Sequence, residues 1–209
     1  MNSTPPQDSA GWSEGRSRLY RAAIEAFANR GFHGTTTRDI AAAAGMSPAA
    51  LYAHHRTKEE LLWVISVRGH EESLALVTRA LSTSEDPVEQ LRTFAHLFAE
   101  FHARSHTTAR VLNYELAALE PHHRAEVDQL RHQIDHQTRA LIQRGVDAGV
   151  FHTPNATMAT TAIISLGLDV SRWYSEEHHW SPEQVADFYA DATLRIAGVT
   201  PTAATQWRR

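Results

Sequence analysis

Between Thr35 and Lys58 the chain reads TTTRDIAAAAGMSPAALYAHHRTK, two short helices held by a tight turn. Thr36 with Asp39 three residues later has capping-box spacing: each side chain can take the other residue's backbone N–H. Ile40, Ala41 and Ala44 make a narrow apolar face, and Gly45 follows where a helix end commonly needs a left-handed residue. Ser47 and Pro48 have the pattern of a cap and first position, opening a brief helix to about His54. Alanines on the first helix allow close crossing by the second. This predicts a helix-turn-helix, whose second helix enters the major groove of DNA.

The surrounding residues are more specific. Ala23, Ala26, Phe27, Gly31 and Phe32 precede the motif. Then come Thr35-Thr36, Ile40-Ala41, Ala44-Gly45-Met46-Ser47, Leu51-Tyr52-Ala53-His54, Lys58 and Leu61-Leu62. From about Arg16 to Leu62 this order resembles the TetR family of bacterial transcriptional regulators. One position departs: His55 stands where the family usually has Phe or Tyr, which puts the packing under the second helix in question. The resemblance implies an all-α protein, with a three-helix DNA-binding head and a six-helix ligand-binding and dimerisation body. It also implies a homodimer on double-stranded DNA with a palindromic operator, acting as a repressor released by a small molecule. At matching positions it assigns Thr36, Arg38, Ser47, Pro48, Ala49, Tyr52, His54 and Lys58 to DNA, with Thr36, Arg38 and Lys58 on phosphates. A weaker likeness, in Asp169 to Tyr174 and the polar loop before Ser181-Pro182, is to members regulating lipid or steroid breakdown. It suggests a mainly apolar effector such as an acyl-CoA.

Charge supports a divided chain. Residues 16–58 hold seven cations (Arg16, Arg18, Arg21, Arg30, Arg38, Arg56, Lys58) against Glu25 and Asp39. That is a net +5 in a chain of −4 overall, so the rest carries −9. A basic head on an acidic body fits a DNA-binding domain joined to something else. The expected organisation is a loose arm at 1–11, the head at 12–57, the body at 58–198 and a flexible tail at 199–209. The 209 residues suffice for a real core, and there is no cysteine. No apolar run reaches the ~18 residues of a membrane span, and the polar start is unlike a secretory signal. A cytoplasmic location with no membrane partner is expected.

Apolar periodicity predicts helices over about 12–30, 58–81, 88–103, 105–116, 122–148, 155–174 and 182–197, nine with the motif pair. The last two carry more apolar surface than one buried face needs. They are the expected dimer interface, through Ile164, Leu168, Trp173 and Phe188. Large side chains in the other body helices suggest an effector pocket lined by Trp63, Phe94, Phe98, Leu112, Leu116 and Ile134. Tyr114 and Arg172 are placed at its rim, and the helix from Lys58 is the lever between head and body.

Fourteen histidines raise a rival from another class, an all-α metal-dependent enzyme with His and Glu ligands. His132 and His136 have chelating i, i+4 spacing, and Glu120–His123 and Glu176–His179 have Glu-x-x-His spacing. Pro121 interrupts the first of the Glu-x-x-His pairs, and Pro182 closely follows the second. No nucleotide-binding glycine loop or G-x-S-x-G motif is present. The expectation is therefore no catalytic residue, no metal and no cofactor.

Overall fold

The computed structural model describes residues 13–177 and 179–199. The predicted arm, the tail beyond Val199 and His178 lie outside them. Among the described residues there are nine α-helices and no strand: α1 Glu14–Arg30, α2 Thr37–Ala43, α3 Pro48–His54, α4 Lys58–Leu81, α5 Pro87–Arg104, α6 His106–Tyr114, α7 Pro121–Asp147, α8 Ala156–Trp173 and α9 Pro182–Ile196. A single 3₁₀ turn, Leu116–Ala118, follows α6, where the periodicity suggested continuous helix.

Local chemistry sets most helix starts. Ser13, Thr36, Ser47, Thr57, Asn155 and Ser181 each accept the N–H three residues on, satisfying a donor that the helix leaves open. The Thr36–Asp39 capping box is complete on both sides. At Thr57, with Glu60 three residues on, only half a capping box forms, because the Glu60 carboxylate accepts the Arg56 N–H. Pro121 does not merely break the chain. It opens α7, at the position where a missing N–H costs nothing. Between α2 and α3, Gly45 turns the chain at φ +66° with open space where a side chain would start. The constraint there is backbone handedness.

Helices α1 to α3 pack around Leu19, Ala23, Phe27, Ile40, Ala41 and Leu51. Thr35 is fully buried, and its hydroxyl donates to Ala26 or Gly31, whose carbonyls lie 3.0 and 2.9 Å away. The same apolar cluster continues through Leu61, Leu62 and Ile65 of α4 into Val111, Leu112, Leu116 and Leu119. Packing therefore runs unbroken across the expected division at residues 57 and 58. A second cluster, with Phe94, Phe98, Ile134, Leu141, Ile142, Phe151 and Ile163, fills the body. Helix α9 lies along α5, and a third cluster of Ala99, Ala103, Val170, Tyr174 and Val185 closes that end.

Candidate nucleic-acid interface and body cavity

On the head, α3 buries Leu51 and leaves Pro48, Ala49, Tyr52, Ala53 and His54 exposed. Ser47, Thr36 and Arg38 are exposed beside it. The Tyr52 hydroxyl lies 3.1 Å from Thr37 Oγ1, so the ring lies across the start of α2 instead of packing inward. The eight residues assigned to DNA thus share the α2–α3 region, with one in a different situation. Lys58 is partly buried; its ammonium donates to the carbonyls of Phe32 and Thr35, at 2.7 and 2.8 Å, and lies 4.2 Å from the Phe32 ring centroid. Two of its three N–H bonds clamp the loop before α2 onto α4, which explains a cation at a helix start without any phosphate. We expect Lys58→Ala to lower the unfolding free energy by about 1–3 kcal/mol through the two lost charged hydrogen bonds. A gel-shift salt series on the same variant reads the remaining N–H: the slope falls by ~1 for a phosphate contact and stays unchanged without one.

His55, the departure from the family pattern, is buried beneath α3. Its Nδ1 makes no hydrogen bond and lies 3.9 Å from the Glu60 carboxylate. Burial pushes its pKa below the usual histidine range, so the neutral ring fills the site as a flat, mostly apolar plate.

In the body, α4 to α8 line a cavity of about 470 Å³, bordered by the exposed His132, Thr161 and Ser165. Its apolar wall is Phe98, Leu112, Ile134, Ile164 and Leu168. Its polar lining is His70, Ser73, His102, Asn113, Asp128, Arg131, His132, Asp135, Thr161 and Ser165. The space exists because the inward stripe of α4, apolar at Leu61, Leu62 and Ile65, turns small and polar at Ser66, Gly69, His70 and Ser73 before Val77. Of these, His70 and Ser73 face the cavity, while Gly69 makes room for Leu112, which a Cβ there would meet at 2.2 Å.

Of the eight expected lining residues, Phe98, Leu112 and Ile134 are there and five are elsewhere. Trp63 is two helical turns from His70, about 10 Å along α4. It stacks on His123 at 4.1 Å, and its indole N–H donates to Glu126. Phe94, one turn before Phe98, belongs to the solid core, and Leu116 belongs to the cluster beneath α1. Tyr114 is exposed, and Arg172 is an exposed partner of Asp169. Two expected dimer residues, Ile164 and Leu168, line the cavity, and Trp173 is half-buried with its indole nitrogen 3.3 Å from the Tyr189 hydroxyl. Phe188 is 61% exposed, and Met158 and Leu166 are exposed on α8.

The polar lining lay outside the expected pocket because apolar periodicity weighs only the large hydrophobic side chains of each helix. The available signal was register: His70 and His102 fall on the apolar stripes of α4 and α5, where an ionisable side chain needs a reason. The metal pattern does not assemble: His123 is 2.9 Å from Glu59 on α4, His132 and His136 are exposed, and no group of three potential ligands occurs among the described residues. Among them, too, no helix is long and apolar enough to cross a membrane.

A helix-turn-helix head sharing its core with an all-helical body is the architecture of a DNA-binding transcriptional regulator. The chain matches the family described as bacterial regulatory proteins, tetR family, over residues 19–63, and the tetracyclin repressor-like C-terminal domain over residues 84–197. It belongs to the TetR family of DNA-binding transcriptional regulators. A crystal structure of a tetR-family regulatory protein from Rhodococcus RHA1 superposes with a TM-score of 0.85 at 38% identity, covering 91% of this chain and 100% of that one. The transcriptional repressor KstR2 of Mycolicibacterium smegmatis is 29% identical over 88% of this chain and 90% of its own. The transcriptional activator FasR of the same organism is 28% identical over 77% and 72%.

Proposed function

We propose that two copies of this chain bind a palindromic operator through residues 12–57, while residues 58–198 dimerise and hold a small effector that releases the DNA. The supporting observation is the position of α6. Leu112 and Asn113 face the cavity, and within one turn Glu115 accepts the Phe32 N–H at 3.0 Å, just beyond the end of α1. A ligand that displaces α6 therefore pulls on the head. Release follows only where the ligand binds one head position better than the other. α4, the expected lever, carries the Lys58 clamp and is the second connection.

Repression is the proposed sense, as in KstR2; FasR is an activator, so sense is decided by a reporter, which is expected to rise when this gene is deleted. The lining favours a neutral occupant over the acyl-CoA suggested by resemblance. Asp128 pairs with Arg124 and Asp135 with Arg139, which leaves Arg131 as the lining's single arginine, too little charge for the several phosphate groups of a CoA. No catalytic role is proposed, and the protein works with the chromosome in the cytoplasm.

The test is selection of operator from fragmented genomic DNA of the source organism, followed by titration of candidate ligands against the complex. A two-fold symmetric site released by a ligand is expected. No selected DNA, or a site without symmetry, would sink the reading. In the same assay Glu115→Ala is expected to keep operator affinity within a few-fold while weakening the effector's influence by about 0.5–2 kcal/mol. Unaltered release would take the coupling away from Glu115.

A further inference from the structure

We propose that the cavity takes a neutral molecule presenting a hydroxyl or N–H donor to His70 and His102, and excludes an ionised acid from that end. The inference rests on the effector reading of the same cavity. Each ring's Nδ1 lies 2.7 Å from the carbonyl oxygen four residues back on its own helix, Ser66 for His70 and Phe98 for His102. A carbonyl only accepts, so Nδ1 carries the hydrogen. In the neutral ring Nε2 is then a bare acceptor, and neither Nε2 bonds another described residue. Both rings are buried and both line the cavity. Burial holds each imidazole's pKa down at about 4, so both are neutral at physiological pH.

Ser73 spends its hydroxyl hydrogen on the Gly69 carbonyl at 2.9 Å and also turns lone pairs outward. Three acceptors therefore line this part of the wall. A carboxylate would bring lone pairs against lone pairs at the two rings, although Arg131, whose charge also acts on His70, is a cation of the same lining that it could meet. A hydroxyl donates to an imidazole, and its own oxygen can accept from Asn113, whose Nδ2 is buried without a partner. The five apolar side chains accommodate the rest of the molecule.

Calorimetry on the full chain with decanol, decyl methyl ether and decanoate tests this. Decanol is expected to bind at least roughly tenfold tighter than either other probe, since each leaves buried acceptors unpaired. His102→Asn keeps an N–H near the Phe98 carbonyl but lacks the outer acceptor, as does His70→Asn toward Ser66. Both should shrink the preference for decanol over the ether severalfold. Equal binding of alcohol and ether, tightest binding of decanoate (an anion on Arg131), no binding of any probe, or a preference unaltered in both variants would overturn the proposal. Nitrogen-15 spectra of the wild-type imidazoles need no variant, and hydrogen on either Nε2 would overturn it as well. Decanol binding that leaves the operator complex intact keeps the donor preference and sinks the effector reading. An effector that releases operator equally from wild type and both variants does the reverse.

Discussion

Phe188→Arg is expected to turn the proposed dimer into a monomer and to weaken operator binding by roughly 10²–10⁴-fold, the loss that follows when two linked half-site contacts become independent. Phe188 is the clean choice of position. It is 61% exposed on α9, with Met158 and Leu166 also exposed on α8. These are large apolar groups that a lone subunit would leave in water. Charge placed at the centre of a two-fold interface meets its own copy there. Ile164→Arg would be a poorer test, because Ile164 lines the cavity and a change there alters two sites at once. Sedimentation of Phe188→Arg as an intact dimer would move the interface off this face. A folded monomer with undiminished operator affinity would remove the need for a dimer.

The second large effect is acid lability. His70 and His102 are held by burial at about 4, against an ordinary 6.5. Below about pH 6.5 the unfolded chain takes up protons that the folded chain refuses. Stability therefore falls as the pH drops from about 6.5 to about 4, and is flat with respect to these groups above that window. A shift of this size is worth about 3 kcal/mol for each histidine at the bottom of the window. His55, also lowered by burial, acts in the same direction. Carboxylates lowered by their hydrogen bonds, such as Asp39 and Asp169, contribute at more acid pH. Urea midpoints between pH 8 and pH 4 should show the decline, and His70→Gln with His102→Gln should flatten most of it. An equally steep decline in the double variant would assign the lability to other groups. A wild-type chain equally stable at pH 7 and pH 5 would show that both rings take up protons freely when folded.

Much of the head was legible in the sequence because its determinants are local. The hydroxyl of Thr36 and the carboxylate of Asp39 meet three residues apart on one turn. Ser47 with Pro48 opens α3 in the same way, and Gly45 supplies the left-handed turn. Each of these choices is complete within a few residues, so the order of residues reveals it. Helix positions followed from periodicity for the same reason, and the family resemblance added the division into head and body.

What surrounds the cavity was decided between helices. Periodicity says that Trp63, Phe98 and Leu116 turn inward, but not which neighbour each meets or how far along the helix axis. Two turns of α4 separate Trp63, stacked on His123, from His70 in the cavity wall. The task of Lys58 depended on where the Phe32 and Thr35 carbonyls arrive, 26 and 23 residues earlier in the chain. The sequence by itself determined the helices, their caps and the motif, because hydrogen bonds within one turn and a 3.6-residue repeat are local physics. Only the tertiary structure decided which inward residues line empty space and which pack solid, because a void depends on five helices meeting at once.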